Sequence, residues 1–427
     1  MFSINRIIAI DDEQLYLDQL CKALYEAGVP CVPMKYPEQQ PPEDGGWCLN
    51  ARVIFCDLHL LPSARNQEQS YGAIGTILER IIPAGGGPLV LILWTNYPEE
   101  ANTLKAYLSE RFPKDKQPTE IVPLPKASFI GENGKNLPSE IRKKLELTPQ
   151  LRALLEWEND VSIAASNCVR RLFQLASSAG ETLDTALDEL LSQLAQAASG
   201  KKLASENPGS AIHEALLPLL SDGILHLPDD AERVNLWKVA MPTAVNQRKI
   251  NCPAGRAAAI NAALNFVYPS AQEIITAKQR GAVTELEDRK FFATSFSKNE
   301  NEIIENFAFE KLPDKFRWVT VQVEATCDYA QQKSACIPCV LAIEAPAAER
   351  TKSKSQGRPD SIWESPAFIS EKNEEVKLVA NVRYVILLSP DAASNCTSIY
   401  RLRDPLVNDL SFAKARHETR PGYIALR

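Results

Sequence analysis

The 427-residue chain is short of most features that would identify it quickly. No stretch of 18 apolar residues occurs, so no transmembrane helix is expected. The N-terminus runs straight into the apolar pattern Arg6–Ile10 and lacks a signal-peptide cleavage pattern. A cytoplasmic protein that stays off the membrane is the expectation. A basic surplus is missing as well. Residues 1–147 hold 15 basic and 19 acidic side chains, the remainder 32 and 35, and the formal charge is −7. Phosphate-backbone binding usually requires the opposite balance, so no nucleic-acid partner is expected. There is no phosphate loop, no Gly-x-Ser-x-Gly elbow and no His-Glu-x-x-His zinc site. Neither an internal repeat nor a low-complexity tract occurs. The ten cysteines are scattered, and in a cytosolic chain most should be reduced and buried.

What is present is folded-protein composition and enough length for two or three domains. Residues 1–130 alternate strand and helix. Short apolar runs at Arg6–Ile10, Cys31–Met34, Arg52–Cys56, Leu89–Trp94 and Ile121–Leu124 read as strands. Between them, Leu17, Leu20, Leu24 and Ala27 keep helical spacing until Gly28, and Ile74, Ile77, Leu78 and Ile81 mark another helix. Pro98 opens a third, which runs to Phe112. Five strands with intervening helices predict a doubly wound, five-stranded parallel sheet of the flavodoxin/CheY-like type, an α/β domain. Residues 131–147 are polar and read as a linker or a weak helix. Thr148-Pro149 predicts the start of a long helix, to about Ala176, with Leu151, Leu154, Leu155, Val161, Ala165, Cys168, Val169 and Leu172 along one stripe. A second amphipathic helix follows from Leu183, and further helices are expected at 209–221, 231–239 and 254–265. Beyond residue 310 the period changes to alternation at Val319, Val321 and Val323, with more strands at Val376–Leu388 and Ile399–Leu402, a helix at Asp404–His417 and a last strand introduced by Pro421-Gly422. The expected organisation is therefore 1–130, a linker at 131–147, a helical region at 148–290 and an α+β domain at 291–427.

Four chemical groups sit at the ends of predicted strands. Asp11, Asp12 and Glu13 follow the first, Asp57 the third, Thr95 the fourth and Lys126 the fifth. In a parallel sheet these ends share one edge, and ligands bind there. Taken singly, each has a plainer reading: the acids or Thr95 would cap the following helix, and Lys126 would be a surface lysine. Together and in this order, they resemble the receiver domain of bacterial two-component response regulators, over roughly the first third of the chain. The resemblance implies that Asp57 is a phosphoacceptor served by a histidine kinase, with Thr95 and Lys126 contacting the phosphoryl group. It implies Mg2+ held by Asp11, Asp12, Asp57 and the backbone carbonyl of His59. Receivers also commonly dimerise or contact effectors through their fifth-helix face, which the long helix from Thr148 would extend.

Departures from the family are specific. Asp57 to Pro62 is one residue longer than the usual spacing, and Ser63–Ser70 is an insertion. Asn96 stands where a small residue is usual, Ala127 where proline is usual, and Pro123 replaces the aromatic switch residue. Phosphorylation chemistry is expected to be intact and its readout altered. His59 and Tyr97, two residues after Asp57 and Thr95, would obstruct attacking water and lengthen the life of an acyl phosphate.

The remaining two-thirds resembles no output domain. A winged-helix reader would be shorter and more basic. Cys327, Cys336 and Cys339 include one Cys-x-x-Cys and would serve zinc or redox chemistry, with Cys396, His417 or Asp328 as a fourth ligand. The plainer reading is buried cysteines at strand positions. Expected roles for the whole chain are then a phosphorelay protein with an unknown protein effector, among them a phosphoryl sink in multi-component signalling such as antiphage defence. The alternative is an enzyme controlled by the receiver, with its site in the C-terminal domain.

Overall fold

The computed structural model describes residues 6–61, 66–128, 139–140, 143, 149–177, 182–228, 230–249, 251–270, 273–288 and 290–419. The chain divides into two compact units: Met1–Asn159 with Asp229–Val245, and Asp160–Pro228 with Asn246–Arg427.

The first unit is an α/β layer structure. Its strands are β1 (Ile7–Asp11), β2 (Val32–Lys35), β3 (Val53–Cys56), β4 (Val90–Thr95) and β5 (Glu120–Pro125). They form one sheet in the order β2-β1-β3-β4-β5, with every neighbouring pair parallel. This is the predicted flavodoxin-like order. Alternation along the strands splits the side chains between two cores. Ile8, Ile10, Ile54, Cys56, Leu91 and Leu93 face helices α2 (Gln67–Ile81) and α3 (Ala101–Arg111). Ala9, Val53, Phe55, Val90, Ile92 and Trp94 face α1 (Gln14–Glu26) and the start of α4 (Pro149–Ser177) through Leu17, Leu20, Leu24 and Leu151. Both faces are covered, which is why the central strands are apolar without interruption. Glu158 ties α4 to the sheet through Arg52, 2.9 Å away, and Arg6, 3.5 Å away.

Prolines explain two local features. Pro33, Pro123 and Pro125 lie on β2 and β5, the two edge strands, where a missing N–H costs no ladder bond. The β2–β3 connection carries a 3-10 turn, Gly46–Asn50, where strict alternation would put a helix. Pro37, Pro41 and Pro42 in that connection bar a continuous helix. Gly45 starts the turn at φ 74°, and a Cβ there would lie 2.5 Å from the Arg80 carbonyl oxygen. Helix α2 begins at Gln67, ahead of the first residue of its predicted apolar face, Ile74, because the Asn66 side chain accepts the Gln69 N–H and caps it. The helix expected from Pro98 opens instead with a 3-10 turn, Pro98–Glu100, and becomes α3 at Ala101.

The second unit takes in the later part of α4, then α5 (Leu183–Glu206) and α6 (Pro208–Leu225), followed by a sheet of eight strands. These are β6 (Phe266–Val267), β7 (Ala282–Glu285), β8 (Arg317–Gln322), β9 (Ile337–Pro346), β10 (Ile362–Glu364), β11 (Phe368–Ile369), β12 (Glu375–Leu388) and β13 (Tyr400–Leu402). Their order is β10-β12-β9-β8-β7-β13-β6, with β11 also on β12, and every pairing is antiparallel. Helices cover both faces: Ala254–Asn265 and Asp404–Glu418 on one, Phe291–Phe296 and Glu300–Ile304 on the other. Strands β6 and β7 fall inside the stretch 148–290 that helical spacing assigns to helices. They are short and their apolar residues are few, so period alone does not separate them from a helix. The linker expected at 131–147 lies almost wholly outside the described residues, as do Pro62 and the final strand expected after Pro421-Gly422.

Candidate functional site

The sheet of the first unit fixes the site. Ile10 pairs with Cys56 across β1 and β3, and the Asp57 N–H donates to the Ile10 carbonyl at 3.0 Å. Asp11 and Asp57 therefore leave adjacent strands at the same level. Thr95 ends β4, opposite Pro125, and Lys126 is the next residue of the chain. The order of the strands brings chemistry from four of them to one edge.

The side chains meet. Carboxylate oxygens of Asp11, Asp12 and Asp57 all lie within 4.8 Å of one another. Among the described residues this is the one group of three or more metal-ligating side chains so arranged. The Lys126 ammonium lies 2.8 Å from Asp11 Oδ2 and 3.2 Å from Asp57 Oδ2. Asp11, Thr95 and Lys126 are buried, with Lys126 only 2 % exposed, and Asp57 is nearly so. The free carboxylate oxygens are oriented by backbone: Glu13 N–H donates to Asp11 Oδ1 at 2.9 Å, and Leu58 N–H to Asp57 Oδ1 at 2.8 Å. The Thr95 hydroxyl accepts from the Tyr97 N–H at 3.2 Å, which leaves its own proton available to donate.

Three carboxylates face one ammonium, so the cluster carries excess negative charge. Burial pushes the Asp11 carboxyl up to about 6, and the opposing pull of Lys126 only partly offsets it. Asp12 is raised too, first by burial and then by Asp57. Burial alone would pull Lys126 down; Asp57 and Asp11 outweigh it, so the ammonium holds its proton more tightly than usual. An oxygen-only donor set with surplus negative charge suits a hard divalent cation. The buried acidic triad can hold a metal ion.

Helix α1 supplies a residue that strand-end reasoning misses. Tyr16 lies under the ammonium, with Lys126 Nζ 4.4 Å from its ring centre. A cation–π contact of this kind helps keep a desolvated lysine charged. The signal was its place in the first turn of α1, one turn after Asp12. A second missed group surrounds His59. The imidazole stands edge-on to Tyr97, with ring centres 4.7 Å apart, so the two residues proposed to screen the site pack on each other. His59 Nε2 is 3.6 Å from Glu100 Oε1, and its Nδ1 is 3.4 Å from the Ser70 hydroxyl. Tyr71 donates to the other Glu100 oxygen at 2.7 Å.

The cysteine cluster does not assemble. Cys327 is exposed on the short helix Thr326–Gln331, Cys336 is exposed ahead of β9, and Cys339 is buried inside β9. Cys339 belongs to the apolar core of its sheet face, and burial pushes its thiol up to about 12. Of the three, only Cys339 fits the plainer reading of buried cysteines at strand positions; Cys327 and Cys336 are exposed and lie off the strands.

No family model matches the chain, and comparison with curated proteins and with solved structures finds no match. The site geometry therefore stands on its own. No described helix is long and apolar enough to cross a membrane.

Proposed function

We propose that the first unit is a receiver-type phosphoacceptor and that Asp57 takes a phosphoryl group from a histidine kinase. The observation that carries this reading is the Lys126 ammonium bridging Asp11 and Asp57 inside a three-carboxylate cluster at the C-terminal edge of a 2-1-3-4-5 parallel sheet. In the transfer, an Asp57 oxygen attacks phosphorus, the new P–O bond forms as the P–N bond to the donor imidazole breaks, and that imidazole leaves with a proton. Lys126 meets the charge carried by the phosphoryl oxygens, and the Thr95 proton is free to bond the acyl phosphate once formed. A bound Mg2+, held by Asp11, Asp12, Asp57 and the backbone carbonyl of His59, would offset the repulsion between carboxylate and phosphoryl oxygens.

The rest of the chain is proposed to act through protein–protein contact with an effector. Pro123 in place of an aromatic relay residue supports a readout unlike the usual one, and a role as a phosphoryl sink in a multi-component system fits an intact acceptor beside it. The His59–Tyr97 pair is proposed to lengthen the life of the acyl phosphate.

The test is direct. The protein is incubated with Mg2+ and acetyl phosphate, and label is measured on wild type and Asp57→Ala. An acid-stable, base-labile label that Asp57→Ala lacks supports the reading, and equal labelling of the two sinks it. For the lifetime, His59→Ala and Tyr97→Ala should each speed dephosphorylation; an unchanged rate in both removes that role.

A further inference from the structure

The second unit contains its own cavity of about 450 Å3, which shares no residue with the carboxylate cluster. Lys202, Glu214, Lys278, Glu324 and Tyr329 are among its lining residues. Glu324 is the unusual one. It is 4 % exposed, in the turn between β8 and the helix Thr326–Gln331. Its backbone is fixed on both sides: the carbonyl accepts Arg280 Nε at 2.9 Å, and the N–H donates to Gln322 Oε1 at 3.1 Å. One carboxylate oxygen accepts from Gln322 Nε2 at 3.0 Å. The neighbouring Arg280 guanidinium is spent elsewhere, on Asp404 at 2.7 Å and Asn408 at 2.6 Å. Among the described residues, no lysine, arginine or histidine nitrogen comes within the 4.0 Å of an ion pair with Glu324.

A buried carboxylate without a paired cation is costly, and a cationic ligand would relieve that cost. The other charges of the cavity are likewise left open. Lys278 is half-buried, Lys202 and Glu214 are exposed, and none of the three forms an ion pair among the described residues. The hydroxyls of Ser210 and Thr276 add donors and acceptors. The volume is that of a small-molecule site.

We propose that this cavity binds a small organic cation, an ammonium or guanidinium, that also carries an anionic group, as a basic amino acid does. The cationic end lies against Glu324, and the anionic end meets Lys278 and Lys202. This assignment does not depend on the phosphoacceptor reading.

Calorimetric titration of the full chain with L-arginine and agmatine tests it. Arginine should bind saturably, and agmatine, which lacks the carboxylate, more weakly. Glu324→Gln should weaken arginine binding by about tenfold or more, the value of a lost charged hydrogen bond. The same variant without ligand should unfold at an equal or higher temperature, because the desolvated charge is gone. Lys278→Ala, which leaves the buried carboxylate alone, should lower arginine affinity and leave agmatine unaffected. No saturable arginine binding up to about 10 mM overturns the proposal, as does unchanged affinity in Glu324→Gln. A lower unliganded unfolding temperature for Glu324→Gln also overturns it, since the carboxylate would then be structural. Agmatine binding as tightly as arginine overturns the anionic half.

Discussion

Each unit of the molecule holds a compact charge cluster, and the two are built on opposite ratios. In the first unit three carboxylates share one ammonium, and the Asp11 carboxyl is pushed up to about 6, chiefly by burial. In the second, Glu364 on β10 meets two cations, Arg358 at 2.7 Å and Lys377 on β12 at 2.5 Å, with the Thr351 hydroxyl donating at 2.9 Å. Burial would raise the Glu364 carboxyl, but Lys377, Thr351 and Arg358 together hold it below its usual range. A carboxylate with cations to spare is satisfied and pins two strands together. Carboxylates short of cations are not, and the shortage is what a divalent ion would relieve. The two carboxyls shift in opposite directions, as their counts of neighbouring cations differ.

Removing the lone cation should have the largest effect. Lys126→Ala leaves three carboxylates together without a counter-charge, so stability should fall by about 3–5 kcal/mol in urea unfolding, and labelling by acetyl phosphate should disappear. A variant as stable as wild type would mean that the cluster needs no cation. Next comes Asp11→Asn. Burial pushes the folded carboxyl up to about 6 from its ordinary 3.8, so the folded state holds that proton more tightly. Stability from this group is therefore fully present below about pH 4 and lost as pH rises through 6. Asparagine imitates the protonated form and escapes the loss. Asp11→Asn should match wild type near pH 3.5 and exceed it by up to about 3 kcal/mol at pH 7. A difference independent of pH would remove the argument from burial.

How much of this contrast could be read from sequence follows from the same physics. The first cluster is legible because a parallel sheet sends every strand end to one edge, so Asp11, Asp57, Thr95 and Lys126 announce their meeting through order alone. The Glu364 cluster is not, because antiparallel pairing depends on register: Glu364 lies opposite Val379, and nothing local says so. Strand β9 is hidden for a related reason. Both of its faces are buried, so its apolar run has no period, and its two proximal cysteines draw attention to metal chemistry instead. The prolines in the β2–β3 connection were visible, but their consequence, a 3-10 turn where alternation expects a helix, follows only once that crossover must pass β1 to join two strands that do not pair with each other. Tyr16 and Glu100 enter through side-chain contacts that no strand-end rule addresses.

Adding a divalent cation should sharpen the contrast from the other side. Mg2+ should raise the unfolding temperature of wild type in a saturable way, by the equivalent of roughly 2–3 kcal/mol at a hundredfold excess over its Kd. The gain should shrink at pH 5, where protons compete for Asp11, and vanish in Asp11→Asn. Circular dichroism melts at the two pH values check this. A Mg2+ effect of equal size in Asp11→Asn would place the ion elsewhere.

The smallest effect belongs to the balanced cluster. Glu364 is partly exposed, so solvent screens its pairs and the loss in Glu364→Gln should be only about 1 kcal/mol near neutrality. The sign with pH is the reverse of that for Asp11. A depressed folded carboxyl contributes stability above its unfolded value, and that contribution is lost as pH falls through the folded one. The penalty of Glu364→Gln should therefore be present at pH 7 and disappear on acidification below the ordinary glutamate range, while Mg2+ leaves it unchanged. Unfolding curves of the two variants across the same pH series would then cross, one gaining on wild type as pH rises and the other falling behind. Parallel curves would mean that the count of cations around a carboxylate does not decide what the cluster is for.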